Sequence, residues 1–297
     1  MKNDIRKVVV FGANGVQGGA IARGLRESGF SVRGAVRTLR PGALPGIELV
    51  TADLDDARSL RHACAGMDAV ALTVPLESNR ERFTGWAHAA ILAAIECRVK
   101  MLVVNLGSRL PTGPSGVPSF DMRREVETMA LRAPIPSVVV LRPPFYMDNL
   151  ASSWASGRLG DGLVSYPLRA GFHVAWLASN DLGLFVAAAL RRPELAGRSI
   201  DIGGPEELDG PGLGGAFSAA IGRPVRFVPI PVDAFEQGLV PIFGLDGARG
   251  IAAGYRWLST QSDPLLLARK GNLYLGELDR PLTRLADWAE RFRMRAA

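Results

Sequence analysis

The chain has 297 residues and a formal net charge of +6, with 47% hydrophobic and 22% charged residues. That length is enough for a large core, and no apolar run could span a bilayer nor does a charged-then-apolar leader open the chain, so a cytoplasmic protein with no membrane partner is expected. The positive balance does not point to nucleic acid either, because only Lys2, Lys7, Lys100 and Lys270 are lysines and the many arginines are scattered along amphipathic stretches without interleaved aromatics.

In chain order, short apolar runs alternate with helix-period stretches, the pattern of a parallel sheet covered on both faces. Strands are predicted at Lys7–Phe11, Ser31–Val36, Ile47–Thr51, Ala69–Thr73, Met101–Asn105 and Ser137–Leu141. Helices are predicted at Val16–Ser28, Asp56–Ala65, Arg80–Glu96 and Asp121–Arg132. Pro41 and Pro45 leave no room for a crossover helix between the second and third strands. After Pro143–Pro144 the alternation weakens. Asp181–Arg191 reads as a helix, Ser199–Ile202 as a strand, Gly210–Ile221 as a helix and Val225–Ile230 as a strand; the glycine-rich Gly238–Gly254 reads as a mobile lid, and Leu282–Arg295 as the closing helix. The expected fold class is α/β, a doubly wound parallel sheet of the Rossmann type with a smaller C-terminal α/β substrate-binding lobe. Residues 1–150, with returns near 180–203, would form the dinucleotide domain and 151–297 mostly the cap.

The run Val10-Phe11-Gly12-Ala13-Asn14-Gly15-Val16-Gln17-Gly18 places glycines at G-x-x-G-x-x-G after a buried strand and at a helix start. Gly12 would permit the tight turn, Gly15 would let backbone N–H groups approach a pyrophosphate, and Gly18 would let helix pack on strand. Gly12, Asn14, Gly15, Val16, Gln17 and Gly18 are therefore candidate cofactor-binding residues, with the helix N-terminus facing an anion. A NAD site would carry an acid at the end of the second strand. Here that end is Val36-Arg37, with Arg40 beyond, and an arginine fork suits a 2′-phosphate; NADP(H) is the expected cofactor.

These motifs, with Ala52-Asp53-Leu54-Asp55-Asp56, Phe120-Asp121-Met122-Arg123-Arg124-Glu125-Val126-Glu127 and Leu141-Arg142-Pro143-Pro144-Phe145-Tyr146-Met147-Asp148-Asn149-Leu150, resemble the NmrA-like branch of the atypical short-chain dehydrogenase/reductases over almost the whole chain. That branch includes quinone reductases, isoflavone-reductase relatives and cofactor-sensing regulators. The resemblance implies that Asp53 and Leu54 border the adenine, that Thr73, Val74 and Pro75 line the cofactor, that Asn105, Gly107 and Ser108 flank the nicotinamide ribose, and that Pro144, Phe145 and Tyr146 lie near the nicotinamide. Read from the residues alone, Asp53 equally serves as a cap for the helix beginning at Asp56, and Pro143–Pro144 as a strand terminator.

One departure stands out. Many enzymes of the family carry lysine where this chain has Arg123, and the wider superfamily has a tyrosine four residues earlier, where this chain has Ser119. Arginine stays protonated, so it can orient a cofactor or polarise a carbonyl but is a poor proton donor. Arg123, Tyr146 and His173 are the candidate catalytic residues. His62, His88 and His173 share no ligand spacing, and neither do Cys64 and Cys97, so no metal is expected. Tyr146, Trp154, Phe172, Trp176 and Phe243 serve either an aromatic pocket or the core. Two readings follow: an NADP(H)-dependent oxidoreductase acting on a small-molecule substrate, compatible with a homodimer, and a non-catalytic NADP(H) sensor acting through a protein partner.

Overall fold

The computed structural model describes residues 5–40, 42, 44–262, 265–267 and 271–296. Seven strands form one parallel sheet: β1 (Lys7–Phe11), β2 (Ser31–Val36), β3 (Glu48–Thr51), β4 (Ala69–Thr73), β5 (Met101–Asn105), β6 (Ser137–Arg142) and, later in the chain, β8 (Arg198–Asp201). Their spatial order is β3-β2-β1-β4-β5-β6-β8, every pair parallel. The expected doubly wound sheet is thus present. Its direction of growth reverses between β1 and β4, and ligands of such sheets bind outside the carboxyl ends of the strands at that point.

The helices of this half are α1 (Val16–Glu27), α2 (Ala57–Cys64), α3 (Arg80–Glu96) and α4 (Pro118–Leu131). Central strands form because they are uninterrupted β-branched and aliphatic runs buried on both faces: Val8, Val9, Val10, Leu102, Val104, Val139 and Val140 are fully covered. α4 begins three residues earlier than the sequence indicates, because Pro118 occupies the first turn, where its missing N–H costs nothing. Asp56, not Asp53, caps α2: its carboxylate accepts from the Arg58 N–H, while Asp53 accepts from the Asp55 N–H within the preceding turn.

The remaining elements are α5 (Ser153–Ser156), β7 (Leu163–Tyr166), α6 (Leu182–Leu190), α7 (Gly210–Ile221), β9 (Arg226–Pro229), α8 (Val232–Ser259) and α9 (Leu285–Ala296). α6 is buried all round and crosses α1 closely; a Cβ on Gly24 would sit 2.7 Å from the Gly183 Cα, so glycine on both helices permits the approach. β7 pairs in parallel with β9 in a separate two-stranded sheet. Around that sheet a third apolar cluster forms, distinct from the two on the faces of the large sheet, with Tyr166, Trp176, Phe217, Phe235 and Tyr255 within it.

The segment expected to be a mobile lid, Gly238–Gly254, is helical and lies inside α8. Phe235, Leu239, Ala248, Ala252, Tyr255 and Leu258 recur at helical spacing on its buried face, and that burial outweighs the low helix propensity of its glycines. The glycine signal survives as a kink: Gly244 has φ 69° and ψ 175°, outside helical values. No helix among the described residues is long and apolar enough to cross a membrane.

Candidate active site

The turn from β1 to α1 is built tightly. Gly12 has φ +72°, its N–H and that of Ala13 donate to the Ala35 carbonyl on β2, and the Gly15 N–H donates back to the Gly12 carbonyl at 2.9 Å. A Cβ at Gly18 would lie 2.6 Å from the Gly12 carbonyl carbon and closer still to its oxygen, so glycine there sets the seating of α1 against β1. Gly15 is less constrained: its Cβ would meet only the Gly12 oxygen, at 3.2 Å.

α1 starts without a side-chain cap and without an acid in its first turn. Its leading N–H groups and positive dipole end therefore open toward the crevice, a setting that suits a phosphate. Asn14 Nδ2 donates to the Thr38 carbonyl at 2.8 Å and ties this turn to the segment that follows β2. Arg37 stands on that segment, exposed and in no ion pair among the described residues. Arg33, by contrast, is spent on structure: it pairs with Glu48 and donates to the Ala63 and Ala65 carbonyls at the end of α2. Three large apolar side chains that follow the carboxyl ends of β1, β2 and β4 are uncovered, namely Val16 at 65%, Leu39 at 51% and Leu76 at 57% exposure. Apolar groups left open around one crevice mark a surface that a ligand covers. The fit to a dinucleotide with a 2′-phosphate is good on each of these counts.

Deeper in the crevice, Asn105 joins four segments. Buried at the end of β5, its Nδ2 donates to Gln17 Oε1 on α1 at 2.9 Å and to Thr73 Oγ1 on β4 at 3.3 Å, and lies 3.4 Å from the Tyr146 hydroxyl; its Oδ1 accepts the Gly107 N–H at 3.1 Å. Gly107 has φ +67°, a conformation glycine adopts without strain. Tyr146 is placed by a short parallel bridge to Leu177, with the Met147 N–H donating to the Leu177 carbonyl and the Leu177 N–H to the Phe145 carbonyl. Burial raises the Tyr146 phenol well above its usual range, opposed only in part by Asn105 and Arg123, so it stays protonated.

Arg123 reaches across from α4. Its Nε donates to the Leu106 carbonyl at 3.0 Å and its Nη1 to the Ser119 carbonyl at 2.7 Å, while its guanidinium carbon lies 5.4 Å from the centre of the Phe83 ring. Nη2 is left without a protein partner among the described residues. Burial pushes Arg123 down to about 10, which still leaves it charged at neutral pH beside the Tyr146 hydroxyl.

Gln17, Thr73, Asn105, Gly107, Arg123 and Tyr146 are thus brought together, with Gly12–Gly18 and Arg37 along the rim. Asp53, Leu54 and Val74 are half-buried and Pro75 is exposed after β4; Pro144 is buried, and Phe145 stacks on Tyr255 with ring centres 5.2 Å apart. Ser108 spends its hydroxyl on the Arg109 carbonyl. His173 does not join the group. Val174 pairs with Leu208 in an isolated antiparallel bridge, and His173 is exposed between the buried Phe172 and Val174. Phe243, weighed for an aromatic pocket, is 43% exposed beside the α8 kink, whereas Trp154, Phe172 and Trp176 belong to the apolar cluster around β7 and β9.

One residue carried no signal in the sequence. Arg109 is 1% exposed, donating to the Arg142 carbonyl at 3.0 Å, the Ile202 carbonyl at 2.7 Å, the Leu265 carbonyl at 3.1 Å and the Leu267 carbonyl. It fastens the loop after β5 to the ends of β6 and β8. No three His, Cys, Asp or Glu residues among those described gather as a metal site, and burial pushes the Cys64 thiol up to about 12.

A family profile described as "NmrA-like family" matches residues 4–264. The chain belongs to the NmrA-like family. It is similar to the NAD(P)H azoreductase of Xenophilus azovorans, 27% identical over 238 residues that cover 78% of this chain and 80% of that protein. It is also similar to the (4-alkanoyl-5-oxo-2,5-dihydrofuran-3-yl)methyl phosphate reductase of Streptomyces griseus, 31% identical over 240 residues and covering 78% and 80%. Among solved structures it shares its fold with the NADPH-dependent quinone oxidoreductase of Escherichia coli in complex with NADPH, with TM-score 0.73, 22% identity, and 96% and 99% of the two chains covered. In this NmrA-like chain the crevice beside the uncapped end of α1 opens at the carboxyl ends of β1 and β4, the switch point at which doubly wound sheets bind their ligands.

Proposed function

We propose that this chain, an NADP(H)-dependent oxidoreductase, passes hydride to a conjugated acceptor such as a quinone, an enone or an iminium, a bulky aromatic metabolite among the candidates. The observation that carries the reading is the buried group itself: a charged arginine whose Nη2 has no partner among the described residues and a protonated phenol held by Asn105, with no described side chain of suitable acidity between them. Gly12–Gly18 and Arg37 would hold the dinucleotide, which supplies the hydride when bound.

The protein's own residues orient and stabilise. Asn105 fixes Gln17, Thr73 and Gly107 relative to one another, and Arg123 offers fixed positive charge to the oxygen on which negative charge develops. A conjugated acceptor spreads that charge, and an iminium loses its charge on accepting hydride, so the proton can come from solvent. Tyr146 is the nearest donor where one is used. A simple ketone would need a matched acid, which this group does not contain. The two curated relatives are named as reductases of an azo compound and of an oxo-dihydrofuran, both unsaturated acceptors.

The test is NADPH consumption by the purified protein with a panel of quinones, enones and iminium dyes beside unactivated ketones. Consumption with the conjugated compounds alone is expected. Rapid reduction of the ketones would overturn the reading. Arginine at the position of the family's usual lysine favours one other reading, a sensor; tight NADPH binding with no turnover of any acceptor, together with a co-purifying protein, would select it.

A further inference from the structure

Between α1, the turn before α6 and α9 lies an open cleft of about 190 Å³. Arg23 and Glu27 enter it from α1, Asn180 from the turn before α6, Arg280 and Thr283 from the segment leading to α9, and Arg291 from α9 itself. Arginines from three separate segments line it, with the Glu27 carboxylate beside them and the buried Asp181 carboxylate held to Arg280. Its α1 wall includes Ala20 and Gly24.

Several surface arginines elsewhere are paired with acids, among them Arg61 with Glu96, Arg82 with Asp55 and Glu77, Arg191 with Asp279, Arg256 with Asp233 and Glu236, and Arg284 with Glu206. Among the described residues Arg23 and Arg291 have no such partner; Arg23 makes only a long contact of 3.4 Å to Asn180 Oδ1, and Arg291 donates Nε to the Asp287 carbonyl. Arg280 is anchored by Asp181, which is fully buried. The Asp181 carboxylate also accepts from the Thr283 N–H at 2.7 Å and the Thr283 hydroxyl at 3.1 Å, so its charge is consumed in fixing this wall. Asn180 keeps its Nδ2 donors available beside the arginines. Arg23 and Arg291, with no acid of their own, stand beside the Asp181-anchored Arg280 on a pre-built wall, an arrangement that a multiply charged anion would bridge.

We propose that this cleft is a second anion site, separate from the cofactor crevice, that takes a phosphate dianion, either free or carried as a phosphomonoester on a small metabolite. A phosphate carries about −1.5 to −2 charge at neutral pH and three acceptor oxygens, which suits the two arginines left without an acid partner, Arg23 and Arg291. The cleft is several times larger than the roughly 30 Å³ of one water, so it has room for the group and part of what bears it. Occupancy would cross-link α1, which carries the glycine turn, to α9.

The experiment is calorimetric titration of the NADPH-saturated protein, its cofactor phosphate sites already filled, with inorganic phosphate and separately with glucose 6-phosphate. Binding of either ligand is expected to weaken at least about tenfold in Arg23→Gln/Arg291→Gln, with melting temperature and NADPH turnover unchanged. Glu27→Gln, which removes an opposing charge, is expected to tighten it. Tighter binding of glucose 6-phosphate than of phosphate assigns the site to a phosphorylated metabolite; equal binding assigns it to the free ion. Affinity unchanged by Arg23→Gln/Arg291→Gln, or no heat of binding from either ligand up to about 10 mM, overturns the proposal.

Discussion

Replacing Gly18 with alanine isolates the contact on which the cofactor turn depends. The added Cβ would lie 2.6 Å from the Gly12 carbonyl carbon and 3.1 Å from the Ala13 nitrogen, where ordinary contact begins at 3.4 Å. Both neighbours are backbone, so no side chain can swing aside, and the first turns of α1 must lift from β1 by about 1 Å. Overpacking of this kind costs about 1–3 kcal/mol, offset by up to about 1 kcal/mol from the better helix propensity of alanine. The expected net loss is about 1–2 kcal/mol, read as a fall in melting temperature of about 2–4 °C for each kcal/mol. The leading N–H groups of α1 move with the helix, and losing one charge-assisted hydrogen bond, about 1.5–3 kcal/mol, weakens NADPH binding at least about tenfold. Gly85, exposed in the middle of α3 with nothing within 4 Å of its Cβ, is the control. Gly85→Ala should stabilise the protein by about 0.8–1 kcal/mol and leave the NADPH affinity unchanged. Denaturant unfolding and calorimetry read both variants; wild-type stability and affinity in Gly18→Ala would refute the close seating of α1 on β1.

Arg37→Ala should remove most of any preference for NADPH over NADH, about 1.5–3 kcal/mol by titration calorimetry; equal affinities in the unmodified protein would reject Arg37 as the phosphate ligand. Arg123→Lys keeps the charge and should retain turnover, whereas Arg123→Ala should lose at least about tenfold in kcat with the fold intact by circular dichroism, and full activity in the alanine variant would remove Arg123 from the chemistry. Asp121 accepts from the Ser115 N–H and hydroxyl and from the Gly116 N–H, bonds that hold its carboxyl below the usual 3.8. With the folded pKa below the unfolded one, this stabilisation is complete above about pH 4 and is lost as pH falls through the folded value. Asp121→Ala should therefore cost about 1 kcal/mol at neutral pH, screening considered, and less as pH falls below the unfolded value; an equal loss across that range would show that packing, not charge, is what was removed.

Much of the fold was legible because its signals are local. Five of the strands, β1, β2, β4, β5 and β8's neighbour β6, are buried apolar runs bounded by turns, and a parallel strand covered on both faces has to read that way. The glycine turn was equally plain, since Gly12 and Gly18 answer to backbone sterics that only their own neighbours impose. Signals depending on long-range burial were not. Gly238–Gly254 reads as loose by composition, yet Phe235, Ala248, Ala252 and Tyr255 find a core to bury in and draw it into α8. β7 escaped notice because its partner β9 lies some sixty residues on.

In the site, the sequence alone determined which residues stand at strand ends and helix starts, and so the glycine turn, Arg37 and the absence of a tyrosine–lysine pair. Only the tertiary structure decided what those residues do together. Asn105 became the junction of Gln17, Thr73, Gly107 and Tyr146 because parallel strands deliver their carboxyl ends to one edge. His173 was left exposed between the buried Phe172 and Val174, and Arg109, one arginine among many in the sequence, was drawn inside by carbonyls from residues 142, 202, 265 and 267. A side chain's type is written in the chain, but its desolvation and its partners come from segments far away in sequence, and those two quantities set its charge, its orientation and its chemistry.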